Sequence, residues 1–357
     1  MLTLNKSEEK CLENQRNWQS KHQVFRAIYD KEHKPNQEYW HYTSLKGVLG
    51  IFKDYVETCF DDEYVKKCNL YASNIRYMND LQEYREGIDA YEKRSNKKHD
   101  PDMDDDIYLI SFCGNGDLLS QWKWYGKNSG LAICFDLDCI KYNTFSYVDE
   151  KGKVIESKQY YDENTKPVDV RYTNNQKSKL YNMLSKDSCI AKSDATQLIQ
   201  QTFVPFCKDE GFKEEKESRL VFYVTDLVGN SKCRPKFNVI YNTAEEGRIK
   251  PALNVGLSLI DNSNPAVIKK NIINRIVVGP GENQELVFNA AIHLFDRKNY
   301  KFHENGEEDK NELEWNDFIN ICDHKSHIVK CHDKKNRVAY LCENGIAIIR
   351  SSIPFRG

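Results

Sequence analysis

The chain has 357 residues, of which 39% are hydrophobic and 12% aromatic, and this supply of core-forming side chains excludes global disorder. Its 52 Lys and Arg side chains nearly balance 54 Asp and Glu, so bulk positive charge is excluded as a means of binding nucleic acid, although a local basic patch stays open. No apolar run reaches the roughly 18–20 residues of a membrane span, and the polar start lacks a secretory pattern. We therefore expect a cytoplasmic protein without a membrane partner, whose scattered cysteines stay reduced.

Strand and helix patterns are mixed along most of the chain. Apolar and β-branched runs predict strands at 40–43, 70–73, 107–113, 131–137, 219–224 and 272–278. Helical spacing predicts helices from Ser44 to about Phe60 and over 80–94, 118–125, 176–210 and 284–298. A polar, tyrosine-rich stretch at 141–175 predicts a hairpin. This mixture predicts an α+β fold rather than a regular βαβ alternation.

The end of the chain has a different pattern. Three alternating runs within 324–354 predict an antiparallel meander, and Asn344-Gly345 is a typical two-residue hairpin turn. The resulting division is a helical polar leader (1–37), an α+β core domain (38–302) and a C-terminal β-meander packed on the core (303–357).

Several common catalytic fingerprints do not occur in the sequence. GxxxxGK[ST], GxGxxG after a strand, GxSxG and HExxH are all missing, which argues against the simplest nucleotide-hydrolase, dinucleotide-binding, serine-hydrolase and zincin interpretations. GPGEN at 279–283 lacks the lysine of a phosphate loop and is interpreted as a turn. The crowded Cys322, His324, His327, Cys331 and His332 match no standard zinc spacing, so the sequence predicts no metal site.

Residues at the end of the first predicted strand form one candidate site. Alternation along the strand places His41 and Thr43 on one face and Tyr42 on the other. An imidazole there could donate to a ribose hydroxyl or an amide, but His41 could equally be an ordinary strand-end histidine.

A second group of candidates combines aromatic and hydroxyl side chains. Tyr71 offers a flat ring for stacking, with Ser73 two residues on, although such tyrosines are often core residues. Ser111 lies near the end of the third predicted strand. Asp117 is expected to cap a helix whose stripe of Leu118, Gln121, Trp122 and Tyr125 is either core or the floor of a pocket.

The sharpest candidate is the charged stretch before the strand LVFYV. If this stretch is extended, Glu215, Glu217 and Arg219 face one side of it. Buried charges are costly without partners, so these three side chains predict either a ligand site or an exposed edge that Arg219 neutralises.

Six segments in a fixed order carry a family resemblance. They are WHYTS, LYASNIRYMNDLQEY, ISFCGNGDLLSQWKWYGKNSGLAICFD, GFKEEKESRLVF, RIVVGPGEN and SSIPFRG, and they span roughly residues 38–357. Together they resemble the bacterial family catalogued as domain of unknown function twenty-nine seventy-one. That resemblance implies a family but little biochemistry.

The chain also resembles ADP-ribosyltransferase folds, which bind NAD in a cleft between two sheets. The resemblance implies mixed or antiparallel sheets that form a split-sheet cleft with flanking helices, His41 at the ribose, and Glu217 as the catalytic carboxylate of a Glu215-x-Glu217 motif. The implied NAD-binding residues are His41, Tyr42, Thr43, Tyr71, Ser73, Ser111, Gln121, Trp122, Tyr125 and Arg219. By analogy it implies an unidentified protein or nucleic-acid acceptor and a role as a toxin or antiphage defence effector.

Two other classes of function stay open from the sequence. The first is a non-catalytic nucleotide- or nucleic-acid-binding module in which the charges are structural. The second is a metal-dependent nuclease that uses Asp80, Asp117, Glu215 and Glu217. The ADP-ribosyltransferase interpretation predicts that His41, Tyr71, Trp122 and Glu217 line one pocket. It also predicts that Glu217→Gln lowers NAD turnover with little change in thermal stability.

Overall fold

The computed structural model divides the chain into two compact units, each assembled from three separate segments. Unit 1 comprises Met1–Gln37, Leu70–Ser111 and Lys141–Leu257, and unit 2 comprises Glu38–Asn69, Phe112–Ile140 and Ser258–Gly357. The structure describes residues 21, 23–34, 37–53, 65–78, 81–125, 129–148, 151, 153–159, 165–186, 195–224, 234–243, 249–260, 271–295, 330–332, 338–342 and 345–354. The sequence-based division at residues 37/38 and 302/303 stays a prediction.

Helices and strands are interleaved throughout, which confirms the predicted α+β class. The helices are α1 (23–32), α2 (Leu45–Ile51), α3 (Leu81–Ser95), α4 (Leu119–Tyr125), α5 (Asn174–Lys186), α6 (Ala195–Phe203) and α7 (Gln284–Phe295). The strands are β1 (Tyr39–Thr43), β2 (Lys67–Asn74), β3 (Ile107–Phe112), β4 (Leu131–Phe135), β5 (Ile140–Asn143), β6 (Phe145–Val148), β7 (Val154–Gln159), β8 (Val168–Asp169), β9 (Ser218–Tyr223), β10 (Arg234–Phe237), β11 (Val239–Thr243), β12 (Ile249–Leu259), β13 (Ile273–Val278), β14 (Lys330–His332), β15 (Val338–Leu341) and β16 (Ala347–Arg350). None of the helices in the described ranges is long and apolar enough to cross a membrane.

A seven-stranded sheet runs through unit 1, in the order β11-β12-β2-β3-β9-β8 with β5 beside β12. A smaller sheet, β10-β6-β7, accounts for the hairpin predicted within 141–175. One face of the large sheet is covered by helices, because the buried cluster there joins Ile107 and Leu109 of β3 and Val221 and Tyr223 of β9 to apolar residues of α1, α3, α5 and α6. The burial of these large side chains away from water is the main stabilising contribution to this unit.

Unit 2 is built on a six-stranded sheet in the order β1-β4-β13-β16-β15-β14. Every residue of β4 is buried, as its unbroken apolar sequence LAICF predicts for a central strand. β13 and β16 run parallel, whereas the other registered pairs in this sheet are antiparallel. The C-terminal strands β14, β15 and β16 form the predicted antiparallel meander.

Local signals in the sequence account for two boundaries in unit 2. Ser44 caps α2 as predicted, because its side chain accepts a hydrogen bond from the Gly47 backbone amide at 3.2 Å. α2 spans Leu45–Ile51, and the predicted continuation to Phe60 falls mostly on residues 54–64, which lie outside the described part of the chain. At the predicted turn before β16, Gly345 has a φ of +87° that favours glycine and donates its amide hydrogen to the Cys342 carbonyl at 2.9 Å, whereas Asn344 lies outside the described residues.

Candidate functional site

A buried cluster of charged side chains in unit 1 surrounds Arg219, the second residue of the fully buried strand β9. The guanidinium and the Glu217 carboxylate are each only 2% exposed. Nε donates to Glu217 Oε1 at 2.6 Å and Nη2 to Glu217 Oε2 at 3.1 Å, which gives a bidentate pair. Nη2 also donates to Glu83 Oε2 at 2.9 Å, and Nη1 donates to the Pro205 carbonyl at 2.7 Å. All three guanidinium nitrogens are thus engaged.

Lys208 supplies the second positive charge of this cluster. Its Nζ lies 2.7 Å from Glu83 Oε1, 2.7 Å from Glu215 Oε2 and 3.0 Å from Glu217 Oε2. Glu83 comes from α3, whereas the other charged residues lie within twelve positions of one another before and in β9. We call Glu83, Lys208, Glu215, Glu217 and Arg219 the charge cluster.

The local backbone corrects the prediction that the stretch before β9 is extended. Residues Glu210–Glu215 form a 3-10 helix, which Asp209 caps by accepting a hydrogen bond from the Gly211 amide at 2.8 Å. Lys216 then adopts the left-handed conformation, with φ 46° and ψ 50°. Glu215 and Glu217 therefore do not share a face through strand alternation; they converge because a helical turn and a chain reversal bring both to Lys208.

Two hydroxyl groups complete the surroundings of Glu217. The backbone amide of Glu217 donates to the Tyr172 hydroxyl at 2.8 Å. The Ser111 side chain also forms a hydrogen bond with the Glu217 carboxylate, in which its hydroxyl is the donor. Ser111, Glu215, Glu217 and Arg219, four of the residues predicted from sequence, are thus brought together in one place.

Two glutamates of the charge cluster, Glu215 and Glu217, have pKa values that are shifted in opposite directions. Burial alone would raise the pKa of Glu217, but Arg219 and Lys208 outweigh it and lower that pKa to about 2. Burial raises the pKa of Glu215, and Lys208 offsets this only in part. Burial likewise opposes the charges of Lys208 and Arg219, yet Glu217 and Glu83 raise the pKa of both. With all five groups ionised, three carboxylates face two cations, and one negative charge is left in excess.

Tyr71 and Ser73 lie on β2, beside β3. Ser73 pairs with Leu109, and directly opposed residues of an antiparallel pair project from the same face. Alternation extends this face to Tyr71 on β2 and to Ser111 on β3. Tyr71 is 39% exposed, so it is a surface residue and not a core one.

The remaining predicted residues lie in unit 2. His41 and Thr43 are half-buried on one face of β1, and Tyr42 is buried on the other, as alternation predicts. The His41 ring lies 6.0 Å from that of Phe112. Tyr42 donates its hydroxyl hydrogen to the Asn115 carbonyl at 2.8 Å and accepts from the Leu118 amide at 2.9 Å, so its hydroxyl holds the loop before α4.

Helix α4 divides its candidate residues between core and surface. Gln121 and Trp122 are buried, and the Trp122 ring packs edge-on against Tyr42 at 4.7 Å. Trp122 Nε1 donates to Asp117 Oδ1 at 2.8 Å, and the Ser351 hydroxyl donates to the same oxygen at 2.5 Å. Tyr125 is 41% exposed and does not continue the buried stripe.

The predicted site residues thus form two sets, one in unit 1 and one in unit 2. That His41 and Glu217 line a single pocket stays a prediction. Sequence reasoning did not assign Lys208 or Tyr172, and it gave Glu83 no site role, because these residues belong to no local motif. Asp80 lies outside the described residues. Within the described ranges, no group of three or more His, Cys, Asp or Glu is arranged to hold a metal ion.

Comparison with known proteins identifies one family. The model of a family described as "Protein of unknown function (DUF2971)" matches residues 121–220, which confirms the predicted family resemblance for that part of the chain. The matched residues include Glu215, Glu217 and Arg219. Neither the curated proteins nor the solved structures contain a significant match.

Proposed function

We propose that the protein is an NAD-consuming enzyme of the ADP-ribosyltransferase type, with the Glu215-Lys216-Glu217 segment at its centre. The observation that carries the proposal is that the two glutamates contact the same lysine, Lys208, but have pKa values shifted in opposite directions. The pKa of Glu217 is lowered and that of Glu215 is raised. Environments that push the pKa values of neighbouring carboxylates apart are typical of acid–base sites.

The chemistry of NAD cleavage fits this division of roles. Breaking the bond between nicotinamide and ribose builds positive charge on the ribose, and a fixed, ionised carboxylate stabilises that charge. Glu217 is ionised and held rigidly by Arg219. Glu215 retains more exposure, and its raised pKa suits it to take a proton from the attacking water or acceptor group.

Neighbouring residues supply further support. Ser111 contacts Glu217, and Tyr71 and Ser73 project from the same face of the sheet as Ser111. An exposed tyrosine ring and two serine hydroxyls on one sheet face, one of them in contact with Glu217, are suitable groups for binding a nicotinamide ring and a ribose. By analogy the proposal retains the role as a toxin or antiphage defence effector that acts on an unidentified macromolecule in the cytoplasm.

The proposal is tested by measuring nicotinamide release from NAD by mass spectrometry. Glu217→Gln is expected to lower kcat by roughly 10²–10³-fold, because it removes one electrostatic stabiliser of the transition state. Glu214→Gln is the matched control, since Glu214 is an exposed glutamate in the same turn. Activity is compared at a temperature at which circular dichroism shows that each variant is folded. Absence of nicotinamide release by the wild type, or full activity of Glu217→Gln, would overturn the proposal.

One observation favours a second candidate, a nucleotide-binding module without chemistry. Arg219 already uses all three nitrogens, and both oxygens of Glu217 accept hydrogen bonds, which is the pattern of a structural buried ion pair. Such a module would bind NAD in isothermal titration calorimetry without releasing nicotinamide. The nuclease alternative has less support, because Asp117 Oδ1 already accepts two hydrogen bonds in unit 2.

A further inference from the structure

Lys208 lies where the three carboxylates of the charge cluster meet. Its Nζ is within 3.0 Å of an oxygen of Glu83, Glu215 and Glu217, so each of the three N–H bonds of the ammonium has a carboxylate as its partner. Arg219 contacts the carboxylates of Glu83 and Glu217. Among the residues that the structure describes, Lys208 is the one cation in contact with Glu215.

The backbone and side chain of Lys208 are also held by neutral groups. Its amide donates to the Arg171 carbonyl at 3.1 Å, and Cys207 before it is fully buried. Nζ lies 4.8 Å from the centre of the Phe212 ring, which belongs to the same 3-10 helix as Glu215. The Lys208 side chain is 5% exposed and that of Glu215 is 10% exposed. The ammonium is therefore a fixed point against which the more exposed carboxylate is held.

Lys208 also affects whether Glu215 is ready to accept a proton. Burial raises the pKa of Glu215, and the negative charges of Glu217 and Glu83 act in the same direction. Lys208 opposes them through its charge and its hydrogen bond. Without the ammonium, burial and like charge would keep Glu215 protonated to higher pH, and a protonated carboxyl group cannot act as a base.

Two further titratable groups face this pair. Arg219 stays charged, and Tyr172, whose pKa is raised by burial, stays neutral at the pH of an assay. Neither group therefore changes its charge when Glu215 titrates. Once Glu215 takes up a proton, two carboxylates face two cations, and the excess negative charge of the charge cluster is removed.

We propose that Lys208 is a positioning residue that holds the Glu215 carboxylate, ionised, where it takes the proton of the attacking water or hydroxyl group; this inference rests on the proposed NAD-consuming function. In the transfer, an O–H bond of the nucleophile breaks and an O–H bond to Glu215 forms. The nucleophile oxygen bonds to the ribose carbon, and the electrons of the broken C–N bond stay on the nicotinamide nitrogen. Lys208 acts through Glu215 and touches none of the reacting atoms.

The pH profile of nicotinamide release tests this role in Lys208→Met. Loss of the ammonium should move the acid limb of kcat/KM up by about one pH unit or more. At pH 7, kcat/KM should fall roughly ten- to hundredfold and recover in part at higher pH. Lys213→Met is the matched control, because Lys213 is 70% exposed on the same 3-10 helix and pairs with Glu210 at 3.7 Å. Its profile should coincide with that of the wild type.

Lys208→Arg is the second variant, in case Lys208→Met does not fold. It keeps the charge, so the acid limb should stay within about half a pH unit of the wild type. A planar guanidinium cannot direct N–H bonds at three carboxylates from one atom, so kcat should fall about tenfold with little change in KM. A merely structural lysine would alter thermal stability and leave the pH profile in place.

The outcomes separate this inference from the function on which it rests. If the wild type is active and Lys208→Met folds, an unshifted acid limb overturns the role of Lys208 alone. If Lys208→Met does not fold, wild-type kcat in Lys208→Arg overturns it. A wild type that releases no nicotinamide overturns the proposed function and this role together.

Discussion

Glu217→Gln provides the most direct test of the charge cluster, because it removes one charge while it keeps the size of the side chain. The pKa of Glu217 is lowered from the ordinary value of 4.5 to about 2. At about 1.4 kcal/mol for each pKa unit, ionised Glu217 contributes about 3 kcal/mol to the free energy of unfolding at neutral pH. This differs from the sequence-based expectation that stability changes little, because the structure buries the carboxylate against Arg219 and Lys208.

The dependence on pH follows from the direction of the shift. A carboxylate with a lowered pKa stabilises the folded state fully above its unfolded pKa near 4.5 and loses this contribution as the pH falls towards 2. The stability difference between wild type and Glu217→Gln should therefore shrink to less than half by about pH 3. Glu215→Gln is the matched variant, and it should leave stability unchanged or raise it, because burial raises the pKa of Glu215.

Urea unfolding at 25 °C, followed by circular dichroism from pH 3 to pH 8, measures both effects. The denaturant dependence of the unfolding free energy should be the same in all variants, so that midpoints can be compared. The reasoning would be refuted if Glu217→Gln lowered the free energy of unfolding by less than about 1 kcal/mol, or by an amount that does not vary with pH. A large loss of stability in Glu215→Gln would show that the ion pair between Lys208 and Glu215 stabilises the fold more than the geometry indicates.

Four further substitutions probe other parts of the molecule. Arg219→Ala leaves buried carboxylates unpaired and should cost about 3–5 kcal/mol in thermal or urea unfolding, well above the roughly 1 kcal/mol of an exposed pair. Burial lowers the pKa of Lys21 from 10.5 to about 7, although Asp106 opposes this. Because the unfolded chain binds this proton more tightly, Lys21→Met should be more stable than the wild type at pH 7, and this difference in unfolding free energy should shrink as the pH rises towards 10.5. Gly116→Ala would place Cβ about 2.4 Å from the buried Trp40 ring and should lower the unfolding free energy by about 3 kcal/mol, the upper end of the cost of overpacking. Gly345→Ala meets no described atom within 4 Å and should cost about 1 kcal/mol through its positive φ alone. Differential scanning calorimetry separates the two, and equal costs would contradict this account.

Much of the fold was predictable because its signals are local. β3 and β4 lie within the apolar runs that predict them, and their burial follows from the near absence of polar side chains. Ser44 and Gly345 act through their own backbone and immediate neighbours, so a short window of sequence contains all the information that they need. The charged stretch before β9 was predicted wrongly, because a 3-10 turn followed by one left-handed residue has no strong periodicity.

The sequence by itself determined the α+β class, most strand positions and the family resemblance, and it predicted Glu217 and Arg219 as candidate site residues. Only the tertiary structure decided that Glu83 from α3 and Lys208 join them, because residues far apart in sequence come together through sheet order and helix packing. It alone also decided that the pKa of Glu217 is lowered and that of Glu215 is raised. The pKa of a carboxylate depends on how completely distant segments exclude water from it and where they place cations, and neither property is present in the chain before it folds.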